Sequence, residues 1–325
     1  MDVGMPLPPI RLQPIFRPMI WGGEFLRPWL TGEPSSELIG EAWLLCDLDG
    51  TCSRIAHPDP GKTLREFLLR FPQFVDNSGK NADGRFPLLL KFLDTKLDLS
   101  VQVHPNDEQA RRLRPGSLGK TEAWVILHAE PGSRIYAGLK HGVTAADLRA
   151  AIAHGRVADV LHAFEANTGQ CVFIPAGTVH AIGAGIRLFE IQQSSDVTFR
   201  LHDWDRLDPK TGKPRELHLE ESFACIDFQR GPVAPADEVF VECPYFRLRR
   251  RAGRFQDCCG DACRILVAFD PHSTDRSLVG ELHMGNDRHI ELRNGDTWLL
   301  PAARSYSCAL HDTATILECE PRFGP

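Results

Sequence analysis

The feature that most constrains this chain is its punctuation: short β-rich runs recur along it, separated by turn signals. Glu41 to Leu48 is largely apolar and ends in Asp49-Gly50, a hairpin dipeptide. Phe86 to Leu93, Leu97 to His104, Ala123 to His128, Cys171 to Pro175 and Ile186 to Gln192 read as further strands. Many short strands with turns between them point to a mainly β chain, folded as a sandwich or barrel. At 325 residues the chain sits on the boundary between one large domain and two.

Helical patterns interrupt the strands. Thr63 to Arg70 is a short amphipathic stretch, and Pro105 to Leu113 carries Asn106 and Asp107 near its first turn. Thr144 is placed to cap a helix over Ala145 to His154, with a second helix expected over Val157 to Glu165. That pair predicts a helical hairpin near residues 141–166, inserted between strands of the first β-domain.

The chain also repeats itself. Gly169-Gln170-Cys171-Val172-Phe173-Ile174-Pro175 has a counterpart in Gly295-Asp296-Thr297-Trp298-Leu299-Leu300-Pro301: a turn glycine, a strand, and a proline six residues on. Five residues past the first proline stands His180; five past the second stands Tyr306. A duplicated β-domain whose second copy lost the histidine is expected. Leu201 to Pro235 reads as the link, with Pro209-Lys210-Thr211-Gly212 as a turn and Pro232 and Pro235 as breakers.

The formal net charge is -6, so the chain has no basic footprint for nucleic acid or anionic membrane. An anionic substrate would need a local basic site. Met1 to Pro14 lacks the basic and apolar regions of a secretory signal, and no apolar run approaches the roughly 20 residues of a membrane helix. A cytoplasmic location is expected, and the 10 cysteines are then reduced thiols. Cys258, Cys259 and Cys263 match no zinc-ligand spacing.

Three segments carry chemistry. In Gln102-Val103-His104-Pro105, strand alternation turns Gln102 and His104 to one face, although a polar strand end would look the same. Lys120 and Glu122 share a face as they enter the apolar run Val125 to Leu127, so a buried salt bridge and a metal ligand beside a cation are both open readings. In Pro175-Ala176-Gly177-Thr178-Val179-His180, the turn aims His180 back toward the interior, although a lone histidine after a turn is more often structural than a ligand. As a set, Gln102, His104, Glu122 and His180 suit a divalent metal of borderline hardness: zinc, or manganese, iron, cobalt or nickel. Farther on, Arg200 lies between Phe199 and Leu201 in a partly apolar stretch, where a guanidinium suits an anion such as phosphate.

These segments, with Trp21-Gly22-Gly23, Ile39-Gly40-Glu41-Ala42-Trp43, Leu90-Lys91, Gln102 to Asp107, Gly119-Lys120-Thr121-Glu122 and Ser195-Asp196-Val197-Thr198-Phe199-Arg200, occur in order from about Trp21 to Arg206. In that order the chain resembles the class I mannose-6-phosphate isomerases of the cupin superfamily, in their compact bacterial form. The resemblance implies two cupin-type, jelly-roll-like β-barrels. A catalytic barrel would span 1–205, a linker 206–236, and a degenerate barrel 237–325. It implies one zinc ion held by Gln102, His104, Glu122 and His180, and a sugar-phosphate pocket lined by Lys91, Lys120 and Arg200. Glu190 is expected at the substrate. Val197 departs from the more polar residue expected there.

The implied reaction interconverts mannose 6-phosphate and fructose 6-phosphate through an enediol(ate). Asp196, Lys120 and Glu190 are the candidates for the proton carrier; Asp196 is preferred, with Lys120 and Arg200 stabilising negative charge. The rival readings are a cupin oxygenase and a non-enzymatic sugar-binding bicupin.

Overall fold

Strand alternation decides what each face of the central sheet meets. In Leu88–Thr95 every residue but Asp94 is buried, which requires cover on both faces. Leu90 and Phe92 point one way, into a core shared with Ile265, Val267 and Leu317 of the C-terminal half. Leu93 points the other way, into a second core with Trp124, Ile135, Ile182 and Leu188. The computed structural model describes residues 7–33, 36–81, 84–209, 211–285 and 288–323, with Arg288 described by its backbone alone. Met1 to Pro6 of the N-terminal stretch and Lys210 of the expected turn lie outside them.

The N-terminal half contains two facing sheets. One has six strands, in the order Cys171–Ile174, Glu122–Ala129, Ile186–Gln193, Leu88–Thr95, Ile15–Gly23 and Ile39–Leu45. The other has five: Leu161–Glu165, Arg134–Leu139, His180–Ile182, Val101–Val103 and Phe199–His202. The C-terminal half repeats the plan with a four-stranded sheet, Arg254–Cys258, Ser305–Leu310, Leu278–Met284 and Arg288–Arg293, against a larger one. Leu266, Leu282, Trp298, Tyr306 and Ile316 fill the space between. The mainly β fold of two double-sheet barrels is as expected.

The larger C-terminal sheet is completed from far away. Ile10–Leu12 pairs with the strand Thr297–Leu300, and Ile55–His57 pairs with Ile10–Leu12 at the edge. The six-stranded sheet presses its Leu90 and Phe92 face against this composite sheet, so the two halves share one apolar core.

Local signals set the helices. Thr63 caps Leu64–Arg70 in a reciprocal box with Glu66, Asn106 caps Asp107–Leu113 with Gln109, and Thr144 caps Ala145–Ala153 with Asp147. The helical hairpin is corrected. Val157–Val160 is one 3-10 turn, and Leu161–Glu165 is a strand added to Arg134–Leu139 with Phe164 opposite Ile135. Pairing with an available sheet edge outweighed the weak helical preference of this Val-, His- and Phe-containing segment. The strand expected over Leu97 to His104 contracts to Val101–Val103, because Leu97 turns outward and donates its N–H to the Trp21 carbonyl. Phe86 to Leu93 shifts to Leu88–Thr95, and Glu41 to Leu48 divides into Ile39–Leu45 and the hairpin strand Asp47–Leu48 before Gly50. Helices over Leu26–Thr31 and Leu219–Cys225 were not anticipated; the second sits in the stretch read as a link.

Two glycines of the Trp21-Gly22-Gly23 and Ile39-Gly40 motifs mark a close approach of strands. A Cβ on Gly22 would stand 2.4 Å from the Gly40 nitrogen, and one on Gly40 would meet the Trp21 ring at 2.7 Å. Any side chain there would push apart the sheet edge that carries Glu41 and Trp43.

Candidate metal centre

Register across the two sheets of the first barrel builds the site. In the six-stranded sheet, Trp43 lies opposite Lys91, Lys91 opposite Glu190, and Glu190 opposite Trp124. In the facing sheet, His180 lies opposite Gln102, and Gln102 opposite Arg200. Each row holds polar side chains in the barrel interior, flanked by apolar neighbours.

His104, Glu122 and His180 bring their ligand atoms within 4.8 Å of one another, all three side chains buried. His104 donates Nδ1–H to the Val197 carbonyl at 2.8 Å, and His180 donates Nδ1–H to the Thr178 carbonyl at 2.9 Å. A carbonyl only accepts, so both rings are held in the tautomer that carries its lone pair on Nε2. Those Nε2 atoms stand 3.7 Å and 3.3 Å from the Glu122 carboxylate. Glu122 Oε1 is buried and accepts no hydrogen bond. An orphaned carboxylate oxygen beside two imidazole lone pairs is a donor set that fits a divalent cation.

Gln102 reaches the same point. Its amide nitrogen lies 3.2 Å from His180 Nε2, and its oxygen turns to the Ser100 hydroxyl at 3.4 Å. A half-turn of the amide would offer the oxygen instead. Lys120 sets its ammonium 3.0 Å from His104 Nε2 and 2.9 Å from Glu122 Oε2. The salt bridge and the ligand cluster, alternatives in the sequence, occur together.

Burial lowers the basicity of both imidazoles: His180 falls to about 4, and His104 drops well below its ordinary value with the Lys120 cation adding to the effect. Burial lifts Glu122 to about 7, against the pull of Lys120. Glu190 goes the other way. Burial would raise it, but the Lys91 and Lys120 cations outweigh that and hold it at about 2. Trp124 donates its indole N–H to Glu190 Oε2 at 2.9 Å.

A cavity of about 210 Å³ opens beside these groups, lined in part by Gln102, Lys91, Lys120, Glu190, Asp196 and Arg200. Arg200 is half-buried; Nη1 donates to the Glu216 carbonyl at 2.7 Å, and Nε has no partner. Asp196 is exposed and lines both this cavity and a neighbouring one. All nine residues singled out in the sequence therefore stand at one place.

Sequence reasoning named no role for Arg17, Glu41 and Arg215, which also line the cavity. Glu41 lies 3.6 Å from Lys91 and accepts the Trp43 indole N–H at 2.6 Å. Alternation along Ile39–Leu45 puts Glu41 and Trp43 on one face, a signal that could have found it. Arg17 stacks on the Trp43 ring, 4.8 Å from its centroid. Nothing local distinguishes Arg17 or Arg215 from a solvated cation.

Residues 10–120 match the family described as phosphomannose isomerase type I, catalytic domain. The chain is 36% identical over 305 residues to mannose-6-phosphate isomerase ManA of Bacillus subtilis, covering 90% of this chain and 93% of that protein. It is 35% identical over 221 residues to the mannose-6-phosphate isomerase of Streptococcus mutans, covering 66% of each. A crystal structure of the mannose 6-phosphate isomerase from Bacillus subtilis superposes with a TM-score of 0.82 at 29% identity, covering 96% of this chain and 99% of that one.

Proposed function

The chain belongs to the type I phosphomannose isomerase family, and from that premise we infer that it is an aldose–ketose isomerase interconverting mannose 6-phosphate and fructose 6-phosphate. The observation that carries this reading is the buried His104, Glu122 and His180 cluster at a cavity lined by Lys91, Lys120 and Arg200.

The first 205 residues are proposed as the catalytic unit and 237–325 as a degenerate barrel that supports it. Gln102, His104, Glu122 and His180 would hold the metal. Two imidazoles, a carboxylate and an amide oxygen suit a divalent ion of borderline hardness, and zinc is our choice. When bound, the cation supplies Lewis-acid stabilisation of negative charge on substrate oxygens.

The reaction opens the sugar ring and moves a proton between C2 and C1. Asp196 is our choice for the proton carrier: it lines the cavity and is exposed to solvent. Lys120 and Arg200 stabilise the developing enediolate, Lys120 as a point charge and Arg200 through its planar guanidinium. Lys91 and Glu190 hold sugar hydroxyls, offering a donor and an acceptor on one rigid sheet face. Arg200 has the unbonded Nε expected of a group that awaits an anion.

The test is a coupled assay for fructose 6-phosphate formed from mannose 6-phosphate, with and without chelator. Turnover that stops on chelation and returns with zinc is expected. No turnover by the metal-loaded protein would overturn the reading.

A further inference from the structure

The second barrel carries a group of side chains with no place in the isomerase site. Glu281 and His283 lie two residues apart on the strand Leu278–Met284, so they share its outer face, while Leu282 and Met284 point into the core. His289, on Arg288–Arg293, stands directly opposite His283. The three ligand atoms lie within 4.8 Å of one another.

The spacing is close to that of a coordination shell. His283 Nε2 is 3.4 Å from Glu281 Oε2, and His289 Nε2 is 3.2 Å from Glu281 Oε1. A tetrahedral ion with bonds of about 2.0–2.2 Å holds neighbouring ligand atoms about 3.3–3.6 Å apart. Both rings already aim Nε2 at the one carboxylate, and their centroids are 5.1 Å apart. Among the described side chains, no lysine or arginine pairs with Glu281, whose ion-pair partners are the two histidines. The neighbouring carboxylate, Glu291, is instead engaged by Arg293 at 2.7 Å.

The backbone holds this arrangement. Both strands belong to one antiparallel ladder, and Leu278–Met284 is also paired on its far side with Ser305–Leu310. The three side chains remain 45–52% exposed, so an ion could enter from solvent and keep water in its remaining positions. Imidazole nitrogens select against calcium and magnesium and for zinc, nickel or copper(II).

We propose that Glu281, His283 and His289 form a second metal site, on the outer face of the C-terminal barrel, for a borderline divalent ion such as zinc. It lies apart from Tyr306, whose side chain is buried inside that barrel. The site is independent of the isomerisation.

The test counts zinc bound per chain by equilibrium dialysis of the holoenzyme against rising Zn²⁺. Wild type, His289→Ala, Glu281→Gln and a Glu291→Gln control are compared. Wild type and the control should bind one ion more per chain than His289→Ala and Glu281→Gln. Alternatively, those two variants should bind the extra ion at least about tenfold more weakly, since even outer-shell changes cost that much. All four should isomerise mannose 6-phosphate equally and melt alike without added zinc, which separates loss of the site from loss of the fold. Equal zinc uptake by wild type and both site variants would overturn the proposal, as would an extra ion lost equally in the Glu291→Gln control.

Discussion

Lys91 and Glu190 stand directly opposite each other on two central strands, and their buried charges meet at 3.1 Å. Each is also held from its other side: Lys91 by Glu41 at 3.6 Å, and Glu190 by the Trp124 indole N–H. A pair held in this way cannot lose one member quietly. Removing one charge from a buried pair costs up to about 3–5 kcal/mol, because its partner loses its nearest counter-charge. Glu190→Ala and Lys91→Ala should each show a loss of that order in urea denaturation. The double variant should lose less than the sum. Strict additivity would mean that the two groups are not coupled.

The same pair sets an acid limit. Glu190 sits at about 2 in the folded chain against an ordinary 4.5, because the Lys91 and Lys120 cations overcome burial. A depressed carboxyl contributes stability that is complete above the unfolded value and is lost as pH falls through the folded one. Wild-type stability should therefore decline from about pH 4.5 toward 2 more steeply than that of Glu190→Gln. Parallel acid limbs in denaturant titrations would contradict this.

His104→Ala and His180→Ala should each lose the metal and the isomerase activity. Both should remain folded, because the surrounding barrel is held by apolar cores that do not need the ion. Metal analysis, circular dichroism and the coupled assay together check this. Full turnover in verified metal-free protein would refute it.

Arg200→Ala should lower kcat, by about 10²-fold, as when a single oxyanion donor is removed. Arg200→Lys should rescue it only in part, because an ammonium cannot reproduce a planar, bidentate donor. Steady-state kinetics separate the alternatives. A raised KM with unchanged kcat would reduce Arg200 to a ground-state phosphate clamp.

In the second barrel Tyr306 stands at the repeat position corresponding to His180. Its hydroxyl donates to Glu318 Oε2 at 2.9 Å, while Arg249 and Arg264 approach the same carboxylate. Tyr306→Phe should cost about 1.5–3 kcal/mol, the usual worth of a hydrogen bond to a charged group. It should leave isomerase kinetics unchanged. Anomalous scattering from a metal beside Tyr306 would contradict the assignment of this barrel's interior to support alone.

The periodicity of the strands was legible in the sequence because the side-chain period of a β-strand is a local property. So were the three capped helices, since Thr63, Asn106 and Thr144 each bond within a turn of their own position. Ordered motifs brought Gln102, His104, Glu122, His180 and Arg200 into view. Their meeting was a different matter. His104 takes its orientation from the carbonyl of Val197, 93 positions away, and Trp124 reaches Glu190 across 66. Ile10–Leu12 joins a sheet of the opposite half, and Leu161–Glu165, within the helix expected over Val157 to Glu165, is a strand because the edge of Arg134–Leu139 lies beside it. Arg17 and Arg215 gained a cavity to face only when the sheets closed. Strand register and sheet closure couple residues across the whole chain, so no local pattern can carry them. Residue type and alternation were decided by the sequence alone; the convergence of lone pairs and charges at one point was decided by tertiary packing.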